Sequence, residues 1–399
     1  MTENLHVAIL GAGPTGLEAA LATAEHGYDF TLFEAGDGVA GHVDGWRHVR
    51  LFTPWSMNVS GRMRDALGGI GRTPPDDDSC PTGGDLIEQL YEPLLSTPAL
   101  EGHVELGTRV LSVGRQGLLK HEEIASAERG SRPFRLLVES ADGEERLVYA
   151  DIILDCTGSS SPNTLGGAGI PAPGERKLGD RIIRDVPNFE TDAAEWAGQT
   201  TLLVGAGHSA QTALHGFAEL IGESPGTRVV WAVRHGAPKP VDGDPLPGRY
   251  RLTSFAADVA ARPPAGVEVR TQTTVDGLSL TDDGQIAVRL RSGHDAGTDT
   301  VKVDRILSLT GRIGDHQLYR QLQIHECYAT SGPMKLAAAL LSASGGGGDC
   351  LTQTSHGPDT LRSPEPGFFI LGSKSYGRRN DYLMRVGWQQ VDEIFQLLD

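Results

Sequence analysis

Gly11-Ala12-Gly13-Pro14-Thr15-Gly16 and, in the second half of the chain, Gly205-Ala206-Gly207-His208-Ser209-Ala210 are glycine-rich turns of one design. Their chemistry is the binding of phosphate. The first glycine of each permits a tight turn, and the next lets the backbone approach a pyrophosphate with no Cβ in the way. A helix opening behind the turn offers free N–H groups and a partial positive charge. In the first turn Gly16 also lets the helix pack close to a sheet. The elements that must position these turns are legible on either side. HVAIL and TTLLV are apolar, β-branched runs that read as strands, while LEAALATAEHG and QTALHGFAELIG are alanine-rich helical stretches. A chain that builds strand, turn and helix twice is equipped to hold two dinucleotides, and such a protein passes electrons between them.

The strand after each turn ends differently. TLFEA places Glu34 about 20 residues beyond the first turn, where a carboxylate accepts hydrogen bonds from a ribose 2′-OH and repels a 2′-phosphate. FAD or NAD is therefore expected there rather than NADP. RVVWAVRHG ends in Arg234 and His235 with no acid at the matching place. A guanidinium there pairs bidentately with a 2′-phosphate, which favours NADPH over NADH; the alternative is a solvated strand end.

With 399 residues, two domains are the prior. The 52 glycines fit a turn-rich α/β enzyme better than a helical bundle. A formal net charge of −17 argues against nucleic acid or an anionic membrane as partner. No apolar run approaches the ~20 residues of a membrane span, and MTENLHVAIL leads almost directly into the first strand, so a cytoplasmic protein is expected. The four cysteines, Cys80, Cys156, Cys327 and Cys350, form no C-x-x-C, so the tight-loop dithiol of disulfide reductases is missing. His316, His325, Cys327, Cys350 and His356 share one stretch, but their spacings match no standard zinc pattern, and no metal is expected.

An internal repeat sets the architecture. The first turn is followed by the strand-like runs HVELGTRVLSVGR, RPFRLLVES and EERLVYADIILDCTG; the second by VEVRTQTTVDGLSL, QIAVRLRSG and DTVKVDRILSLTG. Both series close in Thr-Gly, at Thr157-Gly158 and Thr310-Gly311. Each half thus reads as an α/β, Rossmann-like three-layer nucleotide-binding domain with an inserted β-meander. The Thr-Gly turns fall at the carboxyl edge of a parallel sheet, where ligands sit in open α/β folds.

The arrangement resembles the flavoproteins with two dinucleotide-binding domains, the superfamily of thioredoxin reductases and flavin-containing monooxygenases. The resemblance implies an FAD domain over 1–165, an NAD(P)H domain over 166–310 and a returning FAD part over 311–399. It implies that Gly11, Gly13, Pro14, Thr15, Gly16 and Glu34 meet the FAD pyrophosphate and ribose, and that Val110 meets adenine through its backbone. Thr157 and Gly158 pass beside the same cofactor. Gly205, Gly207, His208, Ser209 and Ala210 form the NADPH turn, with Arg234 as phosphate reader and Thr310-Gly311 as crossing point. FFILGSKSYGRRNDYLMRVGWQQV resembles the last FAD motif, with a strand ending beside the ribityl chain and a helix aimed at the flavin. Gly372-Ser373 replaces the usual Gly-Asp, so that contact must come from a hydroxyl or from backbone. Leu178 and Ile183 also depart from the F-x-G-x-x-x-H pattern of flavin-containing monooxygenases.

In related flavoproteins the region of WRHVRLFTPW passes along the flavin ring. Trp55 could stack there or wall a substrate pocket, or pack with Trp46 and Phe52 in the core; His42 and His48 are polar candidates nearby. The segment from Arg312 to Pro366 contains the helical MKLAAALLSA and the run GGGGD, and reads either as a lid or as a surface insertion. Arg378, Arg379, Asp381 and Tyr382 are the side chains best suited to an anionic substrate, or else a solvated face. The expected function is an FAD enzyme reduced by NADPH (or NADH) that oxygenates a small molecule. The resemblance admits molecular oxygen as co-substrate and a homodimer as assembly. The rivals are a reductase feeding a separate acceptor and a non-catalytic redox sensor.

Overall fold

His6–Leu10 forms the strand its apolar run calls for, in a computed structural model that describes residues 5–293, 297–343, 351 and 353–398. The GGGGD run and Cys350 lie outside the described residues. Val7 to Leu10 are fully buried, as a central parallel strand with both faces covered requires. The strand pairs in parallel with Asp29–Phe33 on one side and Ile152–Asp155 on the other. Val104–Glu105 and Phe368–Ile370 extend the sheet at its two edges.

Side chains alternate across a strand, and the packing follows that alternation. Val7, Ile9, Leu32, Ile152, Leu154 and Phe369 face a layer containing Leu17 and Leu21 of helix Pro14–Glu25 and Val391 and Ile394 of helix Met384–Leu398. Ala8, Leu10, Phe33, Ile153, Phe368 and Ile370 face the other way, onto Val113, Phe134, Leu136 and Val138. These last belong to an antiparallel meander of Thr108–Arg115, Phe134–Ser140 and Glu145–Ala150. Helix, parallel sheet and meander are three layers.

The second half repeats the plan. Thr200–Val204 lies between Arg228–Val233 and Arg305–Ser308, with Val267–Thr271 and Ile182–Ile183 at the edges, all parallel. Leu203, Trp231, Val233 and Leu307 pack on helices His208–Glu223 and Pro247–Ala261. Leu202, Val204, Val230, Ala232 and Ile306 pack on the meander Thr273–Leu280, Ile286–Ser292 and Thr298–Val303. In both sheets the order from one edge is an accessory strand, the Thr-Gly strand, the glycine-turn strand, its successor and a last strand. Even the irregularity repeats, with register shifts in the first meander strand at Val110/Ser112 and at Val275/Gly277.

The chain divides into two compact units, residues 1–161 with 313–399, and residues 162–312. Helix Met334–Ala343 belongs to the first, where Leu336 and Leu340 join Leu361 in its core.

Candidate functional site

The first glycine turn is held from three directions. Gly11 has φ +94°, a left-handed backbone that disfavours any side chain, and a Cβ there would sit 2.9 Å from the Cys156 carbonyl oxygen. A Cβ on Gly16 would overlap the Gly11 carbonyl oxygen, so helix Pro14–Glu25 could not begin where it does. At Gly13 there is open space within 4 Å, and this residue is the helix N-cap, with no side chain bonded across the helix end. Helices Gly61–Gly69 and Gly83–Leu86, by contrast, are capped by the hydroxyls of Ser60 and Thr82. An uncapped N-terminus leaves N–H donors for an anion.

Glu34 reaches this turn. Its carboxylate accepts from the Ala12 N–H at 2.7 Å and the Gly36 N–H at 2.9 Å. The chain entering the meander runs alongside: Thr108 N–H donates to the Glu34 carbonyl at 2.8 Å, two residues before Val110. Across the sheet, Thr157 donates through N–H and hydroxyl to Asp155 at 3.1 and 2.6 Å. Gly158 comes so close to Ser373 that a Cβ would lie 3.5 Å from its Oγ. Gly372 has φ +71° and meets Thr15, and its N–H donates to the buried Gln390 at 2.9 Å. Tyr382 lies 3.2 Å from the Thr15 hydroxyl. Gly11, Thr15, Glu34, Thr157, Gly158, Gly372 and Ser373 therefore converge on one end of the first sheet.

Two further predicted residues lie on the segment that packs on this turn, where the Ala40 N–H donates to the Ala12 carbonyl at 3.0 Å. Trp55 is 4 % exposed and packs in the core with Val43, Val59 and Met63. His42 lies exposed on the short helix Gly41–Asp44. In the anion-binding group, Arg379 is paired with Asp381, which also accepts from Gln353, and Arg378 donates to Ser331 at 3.2 Å. The Arg379 charge is thus compensated within the chain, whereas Arg378 meets a neutral hydroxyl.

The second turn has the same geometry. Gly205 has φ +137° with the Leu309 carbonyl oxygen where a Cβ would be; Gly207 is an open N-cap with no side-chain bond. Ala210, fully buried, stands where the first turn has Gly16. His208 and Ser209 open the helix. Burial, then the charge of Arg249, hold the His208 imidazole below its ordinary pKa. Arg249 is bound to Asp244 by two bonds of 2.7 Å. The exposed Arg234 donates through Nε to His235 at 3.1 Å, leaving its two Nη groups for an anion. Thr310 donates to the Asn163 carbonyl at 3.3 Å, and Gly311 accepts from the Asn163 N–H at 3.0 Å.

Sequence reading missed the charges beneath the first turn. Lys374 and Asp155 are both fully buried and 2.6 Å apart, with Thr157 Oγ1 3.0 Å from the same ammonium and the Tyr319 ring 4.9 Å away. Gly314 makes room, since its Cβ would overlap the Lys374 stem. The one signal was Asp155 in DIILDCTG, where the second half has Ser308. His316, Tyr319 and Glu326 form a second cluster, with the His316 Nδ1 2.6 Å from both oxygens. Among the described residues no group of three or more His, Cys, Asp or Glu is arranged to hold a metal. None of the described helices is long and apolar enough to cross a membrane.

Two open, uncapped cradles at the ends of parallel sheets suit two dinucleotides. Residues 5–327 match the family described as pyridine nucleotide-disulphide oxidoreductase. The chain belongs to that family. FAD and a pyridine nucleotide, NADPH or NADH, are accordingly its cofactors, and it is an oxidoreductase. Solved structures share the fold over nearly the whole length. The bacillithiol disulfide reductase of Bacillus cereus is 17% identical with a TM-score of 0.70, covering 99% of each chain. The thioredoxin reductase of Lactococcus lactis is 16% identical, TM-score 0.61, with the same coverage of both chains, 99%. The ornithine N-hydroxylase of Kutzneria sp. 744 is 14% identical, TM-score 0.64, again over 99% of each. No curated protein matches this family member in sequence.

Proposed function

We propose that this oxidoreductase is an NADPH-using monooxygenase that acts on a small molecule. FAD is held by the first unit through Gly11, Gly13, Pro14, Thr15, Gly16, Glu34, Val110, Thr157, Gly158, Gly372 and Ser373. NADPH is held by the second through Gly205, Gly207, His208, Ser209, Ala210, Thr310 and Gly311, with Arg234 reading the 2′-phosphate. When bound, FAD supplies acceptance of a hydride from the nicotinamide and its passage to oxygen. The chain's own residues bind and orient: uncapped helix ends take the pyrophosphates, Glu34 fixes the first turn and its ribose, and Gly372 and Ser373 approach without an acidic side chain.

The observation that carries the oxygenase reading is the state of the thiols. Cys156, the cysteine at the first cradle, is buried, and burial followed by the Asp155 charge pushes its thiol well above the ordinary range. No cysteine pair in the sequence has C-x-x-C spacing. Electrons on the first unit have no dithiol exit of that kind. In solved neighbours of this fold, names include both reductases and N-hydroxylases.

The second reading, a reductase serving a separate acceptor, is favoured by Cys327. A bond from the Thr330 hydroxyl, then N–H bonds from Thr330 and Ala329, hold its thiol below the usual range, which suits thiol exchange. A screen of small molecules with NADPH in air separates the two. The oxygenase reading expects substrate-dependent NADPH consumption matched by oxygenated product. Peroxide formation indifferent to every small molecule, with fast anaerobic turnover on an artificial acceptor, would give the reductase.

A further inference from the structure

The cluster His316, Tyr319 and Glu326 has an unused atom. Tyr319 spends its one hydroxyl proton on Glu326 Oε1 at 2.6 Å. Glu326 is desolvated, but its bonds to His316 and Tyr319 outweigh that and keep the carboxyl below its ordinary pKa. It is therefore an ionised group that only accepts. His316 Nδ1, 2.6 Å from the same oxygen, must be the donor. That fixes the tautomer: whenever His316 carries a single ring proton, that proton is on Nδ1, and Nε2 presents a lone pair. Nε2 is buried and has no hydrogen-bond partner among the described residues. Buried polar atoms of this kind nearly always have one.

We propose that His316 Nε2 is the proton-accepting group for a small ligand bearing an N–H or O–H, with Glu326 and Tyr319 as its positioning residues. This rests on the reading of the chain as an enzyme with a small-molecule substrate, and supplies the acid–base group that reading lacked. The ligand's N–H or O–H bond breaks, an Nε2–H bond forms, and the bonding pair stays on the ligand's nitrogen or oxygen. The charge left on the imidazolium faces the Glu326 carboxylate. The cluster reaches the first cradle through the Tyr319 ring, which lies under Lys374, itself bonded to Asp155 and Thr157.

The test is nitrogen NMR of full-length, FAD-loaded protein labelled with 15N at histidine, with His316 assigned by the signals lost in His316→Gln. The expected spectrum, at a pH where His316 carries a single ring proton, shows that proton on Nδ1 and a bare Nε2. Titration with n-butylamine or n-butanol is expected to move the Nε2 resonance saturably. A response to the amine alone identifies a nitrogen donor, and one to the alcohol alone an oxygen donor. Glu326→Leu, which removes the acceptor, should abolish the tautomer preference and Tyr319→Phe should keep it. An Nε2–H tautomer, an Nε2 signal that neither probe moves, or a preference that survives Glu326→Leu overturns the proposal. Flavin content and NADPH bleaching of the same unsubstituted sample report on the function separately, so either reading can fail while the other stands.

Discussion

At the scale of single residues, the first cradle rests on charges that serve the backbone before any ligand arrives. Glu34 binds two N–H groups of its own turn; Glu34→Arg should therefore lose bound FAD by at least tenfold in affinity, about 1.4 kcal/mol. Flavin content unchanged after purification would contradict it. Lys374→Met leaves Asp155 charged, buried and unpaired, and should cost about 3–5 kcal/mol in urea unfolding. The double change Lys374→Met with Asp155→Leu removes both charges and should lie closer to the parent than the single change does. In the second unit, two Arg249 bonds hold the Asp244 carboxyl below its ordinary pKa. A depressed carboxylate gives stability that is present above the unfolded value near pH ~4 and is lost as pH falls through the folded one. Asp244→Asn should accordingly lower the urea midpoint at pH 7 and flatten its fall between pH 5 and pH 2.

At the scale of elements, the two strand–turn–helix units make stability and binding separable. A Cβ on Gly16 or Gly205 meets a carbonyl oxygen, whereas Gly13 and Gly207 face open space. Gly13→Ala should cost about 1 kcal/mol or less in the unliganded protein, the penalty of alanine at an N-cap, yet abolish tight FAD binding. Gly207→Ala should raise the NADPH dissociation constant while FAD stays bound. Equal loss of both cofactors in either variant would break the assignment of one turn to each. These elements were the most legible part of the sequence. HVAIL, TTLLV and MKLAAALLSA became strands His6–Leu10 and Thr200–Val204 and helix Met334–Ala343, because apolar period and capping glycines are local signals. Longer runs hid a break. VEVRTQTTVDGLSL is two strands in different sheets, turning at Gln272 with φ +52°. A polar residue in a left-handed turn carries no such local mark. The Lys374–Asp155 pair joins residues 219 apart in sequence, and partners that only the fold brings together have no period to betray them; of the His316 cluster, the sequence singles out only His316, in a stretch of His and Cys whose spacings match no zinc pattern.

At the scale of the whole molecule, the internal repeat proved to be architectural. Both halves carry the same strand order, the same three layers and a register shift in the same meander strand. What differs between them is chemical. Glu34 follows one successor strand where Arg234 follows the other, and Asp155 and Lys374 lie under one Thr-Gly turn where Ser308 lies before its counterpart. A duplicated scaffold with unlike charges is what two different dinucleotides require. The central claim is that a pyridine nucleotide on one unit reduces FAD on the other, and anaerobic titration of the purified protein with NADPH tests it most directly. The account predicts a flavin spectrum that bleaches with about one equivalent of NADPH and needs more NADH to do the same. A bound flavin whose spectrum neither nicotinamide moves would contradict it.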